Sequence, residues 1–138
     1  MEKNKILMLL LITAILSVIL TYFFYQSAKI YSIKELKMDI IIGNYIGLNT
    51  DTDSIHFGTT LPGTSANREI VLNADKNITV NLKLSGNISS LVQIPENNFI
   101  LSKNMQKSIK LTSVIPLNAT RGVYTGILKI TFYKQKTI

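Results

Sequence analysis

The only histidine of the chain lies close to two aspartates and a serine, and these are the residues whose types could support acid–base chemistry. Asp51, Asp53, Ser54 and His56 follow one another within one short segment. A catalytic triad depends on a three-dimensional geometry that neighbours on one strand do not supply. His56 also alternates with apolar residues on either side, a pattern typical of an exposed strand residue. We therefore favour a structural surface position for His56 over a metal ligand or a general base.

Asp51 and Asp53 place two carboxylates two positions apart. Carboxylate oxygens bind Ca²⁺ when enough of them converge from several loops. A solvated turn explains the same pattern with fewer requirements. The chain has no cysteine, no phosphate-cradling glycine loop and no Cys/His metal spacing. The sequence accordingly predicts no catalytic residue, no metal site and no cofactor, and a protein that is not an enzyme.

Three asparagines stand in Asn-x-Ser/Thr sequons, at Asn77, Asn87 and Asn118. An N-linked glycan requires a surface position in a secreted or extracellular segment. Asn87 and Asn118 lie in or beside turn segments, whereas Asn77 begins a strand-like segment. If the surrounding domain is outside a cell that N-glycosylates, Asn87 and Asn118 are the candidate glycosylation sites.

A run of twenty uncharged and mostly apolar residues extends from Ile6 to Tyr25. As a helix this run is about 30 Å long, which matches the hydrocarbon thickness of a bilayer. A cleaved secretory signal has a shorter apolar core that ends in small residues. Here the run ends in the bulky aromatic segment Tyr22–Tyr25, as expected at a membrane interface. We predict an uncleaved single-pass transmembrane anchor, with a removed signal as the alternative.

The lysines on the two sides of this run bear on its orientation. Lys3 and Lys5 precede it, and Lys29, Lys34 and Lys37 follow it, so the positive-inside count opposes a cytoplasmic N-terminus. A very short tail nevertheless commonly stays cytoplasmic, and a following domain translocates largely regardless of its charge. We predict a cytoplasmic N-terminus, an extracellular C-terminal domain at the cell membrane, and lysines after the run that lie along the lipid headgroups.

The chain as a whole divides into three parts. Residues 1–25 contain the tail and the anchor, and residues 26–37 read as a polar connector without Gly or Pro, either an outward extension of the helix or a spacer. Residues 38–138 have the length of one immunoglobulin-like domain. Because no disulfide can form, apolar burial must hold this domain together.

Apolar and polar residues alternate along Ile78–Leu84 and along Tyr124–Phe132, with Tyr124 on the apolar face. This period of two is typical of strands with one buried face. Turn signals such as Leu61-Pro62-Gly63 and Arg121-Gly122 separate the strand candidates. The pattern predicts an all-β antiparallel sandwich. The shorter strand candidates are Met38–Tyr45, Ser54–Phe57, Glu69–Leu72, Ser90–Ile94, Asn98–Leu101 and Ser108–Val114.

Six short segments follow one another in the order Ile55–Gly58, Leu61–Gly63, Arg68–Asn73, Leu84–Gly86, Val114–Pro116 and Gly122–Gly126. They are similar to segments of immunoglobulin-like domains in prokaryotic surface proteins, among them archaeal membrane-anchored envelope proteins. The resemblance covers about residues 53–132 and is structural. It implies an immunoglobulin-like fold and, by analogy, a role in adhesion, scaffolding or assembly. Within these segments, Gly58 and Gly63 permit turns, and Gly126 allows a close approach in the final strand.

The formal net charge is +7, which raises the question of nucleic-acid binding. Lysines spaced along the wet faces of strands serve solubility and protect sheet edges from pairing. We therefore predict no nucleic-acid partner. The lysines concerned are Lys103, Lys107, Lys110, Lys129, Lys134 and Lys136, the last three near Tyr133.

These features favour a non-enzymatic, membrane-tethered binding or scaffold module whose partners are the bilayer and a cell-envelope protein. One alternative is self-association into a surface assembly or filament by β-strand addition, with Met38–Ile46 as the donated strand. Pairing of this strand within its own domain would favour the binding module. Another alternative is an accessory subunit of a membrane complex, because Thr13, Ser17 and Thr21 recur every four residues along the helix. Isolated hydroxyl residues are also tolerated in single anchors.

Overall fold

The computed structural model describes residues 2–47 and 54–135 and divides them into one long helix and eight strands. The helix α1 (Glu2–Lys29) contains an apolar window, Lys3–Tyr25, that is long and apolar enough to cross a membrane and is not buried by the rest of the chain. A signal sequence meets the same criteria of length and composition. The strands are β1 (Ile30–Ile42), β2 (Ser54–Thr60), β3 (Ser65–Asn73), β4 (Ile78–Gly86), β5 (Val92–Gln93), β6 (Phe99–Leu101), β7 (Gln106–Val114) and β8 (Gly122–Lys134), with a 3₁₀ turn at Asn87–Ser90.

The strands form two sheets, which confirms that the protein is mostly β. One sheet has five strands in the order β2-β1-β8-β4-β6, and the other has three in the order β3-β7-β5. All pairs are antiparallel except β1 with β2, which is parallel. The expectation of a purely antiparallel arrangement is wrong for this pair. β2 lies beside the second half of β1, with Ser54 opposite Lys37 and Thr60 opposite Ile42.

The segment expected to be a connector, residues 26–37, belongs instead to the end of α1 and the first half of β1. The helix ends at Lys29 and the strand begins at Ile30. Residues 31–35 are exposed, so no alternation marks them as a strand, and their pairing with β8 supplies the order. The candidate donor strand Met38–Ile46 lies partly in β1, where Met38–Ile42 pairs with β8 and β2 of its own domain.

A single hydrophobic core lies between the two sheets. The alternating strands contribute as expected, because Val80 and Leu82 of β4 and Leu128 and Ile130 of β8 are buried. Burial of each large aliphatic side chain contributes about 1.5–3 kcal/mol. The other contributors include Tyr124 and Phe132, half-buried against this core, and Ile70, Leu72, Ile109 and Leu111 from the inner face of the three-stranded sheet.

Glycine permits a close approach of β4 and β8 at Gly126. A Cβ at this position would lie 2.1 Å from the carbonyl oxygen of Ser85 and 2.5 Å from Cγ2 of Ile88. The expected role of Gly126 is thereby confirmed. Gly58, which we expected in a turn, has a φ of 80° inside β2, where the register with β1 shifts. It therefore forms a β-bulge in the strand.

The β-domain has two ends, which we name by their relation to the helix. The base is the end where α1 joins β1, and it also holds the end of β8 because Ile30 pairs with Tyr133. The distal end is the opposite one, where Ile42 pairs with Gly122.

Candidate functional site

His56 lies on β2 directly opposite Asp39 on β1. Its Nδ1 atom is buried against Oδ1 of Asp39 at ion-pair distance, although the two atoms do not meet hydrogen-bond geometry. The His56 side chain is only 15 % exposed, so the expectation of an exposed residue is wrong. The sequence around His56 does not reveal Asp39, because strand pairing brings the two residues together.

Arg68, on β3 of the three-stranded sheet, links that sheet to the backbone of β2 at His56. Its Nε donates a hydrogen bond to the backbone carbonyl oxygen of His56. Because β2 is the edge of its sheet, this carbonyl would otherwise face outward without a strand partner. Arg68 and Asp39 thus hold His56 in place as a structural element of the sheet edge.

This cluster has limited chemical capacity. Within residues 2–47 and 54–135, no group of three or more His, Asp and Glu side chains could hold a metal ion. Ser54 begins β2 and lies opposite Lys37. The calcium interpretation of Asp51 and Asp53 falls outside the described residues.

Asn97 protects the other edge of the five-stranded sheet, across from β2, where β4 extends beyond β6. Its Oδ1 accepts a hydrogen bond from the N–H of Leu82 at 2.8 Å, and its Nδ2 donates one to the carbonyl oxygen of Leu82 at 2.8 Å. The side chain therefore replaces a neighbouring strand where β6 does not reach. Sequence reasoning identified only a turn here; the adjacent Asn98, with a φ of 54°, is a typical asparagine of such a turn.

β3 forms one edge of the three-stranded sheet. This strand pairs with β7 in an unbroken register from Ser65 to Asn73. In the described part of the chain, no other strand pairs with it. A regular edge is a template for another strand unless charged side chains or a covering element block it, and β3 contains the charged residues Arg68 and Glu69.

The candidate glycosylation sites are both exposed. Asn87 begins the 3₁₀ turn and its Oδ1 accepts a hydrogen bond from the N–H of Thr125 at 2.7 Å. Asn118 lies in the loop between β7 and β8. Asn77 is exposed as well, but its Oδ1 accepts a hydrogen bond from the N–H of Lys103 at 2.8 Å and so joins two loops at the base.

Several large apolar side chains are exposed near the distal end, and we call the four most exposed of them the distal apolar surface. Val123 is the second residue of β8, and Leu117 is in the loop before that strand. Tyr45 and Ile46 are in the loop after β1. Leu117 is 87 % exposed and Ile46 is 71 % exposed. Large exposed apolar side chains concentrated in one region mark interaction sites more often than single scattered ones do.

The lysines that raised the question of nucleic-acid binding are dispersed over the domain. Lys107 is 2.7 Å from Glu96, and Lys129 is 3.7 Å from Glu35. Lys110 lies opposite Glu69 in the β3–β7 pair. Lys103 and Lys134 lie at the base, and Lys136 is outside the described residues.

The hydroxyl stripe of α1 bonds within its own helix. Thr13, Ser17 and Thr21 donate hydrogen bonds to the carbonyl oxygens of Leu10, Ala14 and Ser17, respectively, at 2.8–2.9 Å. These hydroxyls are satisfied without a second helix, which favours a tolerated polar group over a packing face.

No family model, curated protein or solved structure matches the chain. The functional argument therefore depends on the contacts and surfaces described above.

Proposed function

We propose that the chain is a single-pass membrane protein whose extracellular β-domain binds a protein of the cell envelope without catalysing a reaction. The observation that carries this proposal is the direct junction at Lys29 and Ile30 between a helix of spanning length and a two-sheet domain. A domain joined in this way stays at the membrane surface and acts on whatever it contacts there.

The distal apolar surface supports binding as the activity. Leu117, Ile46, Tyr45 and Val123 lie at the end of the domain that is farthest from the helix junction. Loops at one end of a β-domain are common positions for recognition, because the sheets hold them rigidly. Tyrosine is also among the residues that are enriched in protein interfaces.

An immunoglobulin-like fold is part of this proposal. Two sheets around one core, formed by eight strands in the described part of the chain, agree with it. The hydroxyl of Tyr124 also donates a hydrogen bond to the carbonyl oxygen of Thr120, four residues upstream, at 2.9 Å. This contact resembles the tyrosine corner of immunoglobulin-like domains.

The absence of catalysis is supported by the structural use of His56. Its ring is buried against Asp39, and its carbonyl oxygen accepts the hydrogen bond from Arg68. We expect His56→Ala to leave partner binding unchanged when the variant is folded and present in the membrane at the normal level. Loss of biological function under those conditions would refute the non-enzymatic proposal.

The anchor and its orientation are tested together. After alkaline carbonate extraction the full chain should remain with the membrane pellet at its full length. Protease added to intact cells should remove the β-domain and spare α1. Recovery of a shortened, soluble chain would support a cleaved signal, and a protease-resistant domain that is digested only after lysis would refute the extracellular orientation.

Binding is tested with a photo-crosslinking amino acid introduced at Leu117. We expect a covalent adduct with an envelope protein in intact cells. The same group at Lys83, an exposed position on β4 away from the distal loops, is the matched control. Adducts of equal yield at both positions, or at neither, would contradict a distal binding surface.

Strand addition remains a second candidate because of one observation, the unbroken register of β3 at the edge of its sheet. The internal pairing of Met38–Ile42 disfavours β1 as the donor. A self-assembly through β3 predicts oligomers that disappear when Val71, an exposed residue of this strand, is replaced by proline, which cannot donate to a ladder.

A further inference from the structure

The base of the β-domain collects basic side chains that are distant in sequence. Three segments meet there beside the helix junction: the β3–β4 loop, the β6–β7 loop and the end of β8. Their lysines are Lys76, Lys103 and Lys134, and Lys29 ends the helix. The side chains of all four lysines are exposed.

Hydrogen bonds hold the two loops together. The N–H of Asn104 donates to the carbonyl oxygen of Ala74 at 2.8 Å. The N–H of Lys103 donates to Oδ1 of Asn77 at 2.8 Å. Lys76 and Lys103 therefore project from one rigid surface.

Strand pairing and two contacts of the Tyr31 side chain join this surface to the helix junction. Tyr133 pairs with Ile30 on one side and with Thr79 on the other. The hydroxyl of Tyr31 donates to Oδ2 of Asp75 at 3.1 Å, and Nζ of Lys76 lies 5.1 Å from the centre of the Tyr31 ring. The first two residues of β1 are thus already part of the base.

The charge of the base is strongly one-sided. The segments 29–31, 74–77, 102–105 and 133–135 contain four lysines and one aspartate, a formal net charge of +3. The aspartate, Asp75, accepts the Tyr31 hydrogen bond. Within the described ranges, no carboxylate lies at salt-bridge distance from Lys76, Lys103 or Lys134. Lysines elsewhere on the domain, such as Lys107 and Lys129, do have acidic partners.

The distance from the helix to the base is short. Only residues 26–29 separate the apolar window from β1, and four helical residues extend about 6 Å. Electrostatic attraction acts over about 8–10 Å at physiological salt. The Lys29 ammonium also lies 4.5 Å from the centre of the Tyr25 ring, at the helix end where aromatic rings favour the membrane interface.

We propose that the base of the β-domain docks on anionic lipid headgroups. This proposal rests on the membrane anchor proposed above and adds the surface that the domain contacts. Lys76, Lys103 and Lys134 attract the lipid phosphates, because anionic headgroups attract basic side chains that lie within a Debye length of the surface. Met105, exposed at the end of the β6–β7 loop next to Lys103 and Asn104, enters the headgroup layer. Docking holds the domain with its distal end directed away from the bilayer.

The absence of cysteine from the chain permits a direct test. A single cysteine replaces Met105 in the full chain and carries an environment-sensitive fluorophore. The chain is placed in nanodiscs of phosphatidylcholine alone or of phosphatidylcholine with phosphatidylglycerol, each containing a lipid with a spin label near the headgroup. Leu117→Cys, at the distal end, carries the same fluorophore as the control.

We expect the spin-labelled lipid to quench the fluorophore at position 105, but not at position 117, in the anionic discs. Quenching should fall at least about two-fold in the neutral discs, because the attraction requires lipid charge. Lys103→Glu should produce a similar loss. Lys83→Glu has the same charge change on β4 and should not, since it is away from the base.

Each other outcome overturns the proposal in a distinguishable way. Equal quenching in both discs, or no effect of Lys103→Glu, refutes docking by charge while the anchor stands. A fluorophore at 105 that is shielded from aqueous iodide but not quenched by the lipid identifies a protein contact at the base instead. A chain that does not co-elute with either disc refutes the anchor, and the docking with it.

Discussion

Replacement of Gly126 by alanine tests the close approach of β4 and β8. The added Cβ would lie 2.1 Å from the carbonyl oxygen of Ser85, a backbone atom that no rotamer change can move. A normal contact between a carbon and an oxygen needs more than about 3 Å, so the two strands must separate by about 1 Å. Overpacking of this kind costs typically about 1–3 kcal/mol. We expect the upper end of that range, because the second close atom, Cγ2 of Ile88, belongs to a fully buried side chain.

The measurement is urea unfolding of the full chain in mild detergent. Tyrosine fluorescence and the circular dichroism of the strands monitor the transition. With a denaturant dependence of about 1–3 kcal/mol per molar urea, a loss of about 3 kcal/mol lowers the midpoint by about 1–3 M. A domain of this size has a total stability of only about 5–15 kcal/mol. Gly126→Ala should therefore be among the most damaging single-methyl changes in the chain.

Gly47→Ala is the matched control. The same added methyl group would meet its nearest atom, Oγ1 of Thr59, at 3.4 Å, which is an ordinary contact. We expect a change within about 0.5 kcal/mol, as for most surface substitutions. If the two variants unfold at the same urea concentration, the argument from the Ser85 contact is wrong.

Three further sets of substitutions test other contacts. Tyr124→Phe should cost about 1 kcal/mol through loss of the hydrogen bond to Thr120, and Tyr124→Ala about 3 kcal/mol through loss of packing; urea unfolding that shows less than about 0.5 kcal/mol for the alanine variant would contradict the inward placement of the ring. Asn97→Ala should speed hydrogen exchange of the Leu82 amide and cost about 1–2 kcal/mol, because both backbone groups of Leu82 lose their partner; unchanged exchange would show that the Asn97 side chain does not protect this edge. In a host that N-glycosylates, Asn87→Gln and Asn118→Gln should each remove the mass of one glycan on electrophoresis, and unchanged mobility of both would contradict their use.

The approximate positions of all eight strands could be predicted from the sequence, because most strands contribute alternating side chains to one core. Val80 and Leu82 in β4 repeat with a period of two, as do Leu128 and Ile130 in β8, and burial of one strand face requires that period whatever the order of the strands. The first half of β1 could not be predicted, since residues 31–35 are exposed on both faces. Hydrogen bonds to β8 stabilise the strand conformation of this half. Local composition does not reveal such pairing.

The candidate sites depend even more on pairing across the fold. His56 and Asp39 meet because two strands run parallel, and the sequence pattern does not specify that direction. The cross-strand role of Asn97 could be predicted only by knowing that the pairing of β6 with β4 stops at Val80, two residues before Leu82. The exposure of Asn87 and Asn118 was easier to anticipate, because turn residues lie at the surface whatever the topology.

The direct passage from α1 into β1 has a mechanical consequence. With α1 held in a bilayer and the distal end bound to a partner, a pull between them acts along the axis of β1. The ladder between β1 and β8, registered from Ile30 to Ile42, then carries the load in shear, so that many hydrogen bonds must break together. Resistance to such a force is governed by the rate of unfolding and not by equilibrium stability. Under that condition the direct junction at Lys29 and Ile30 passes tension between the helix and the ladder.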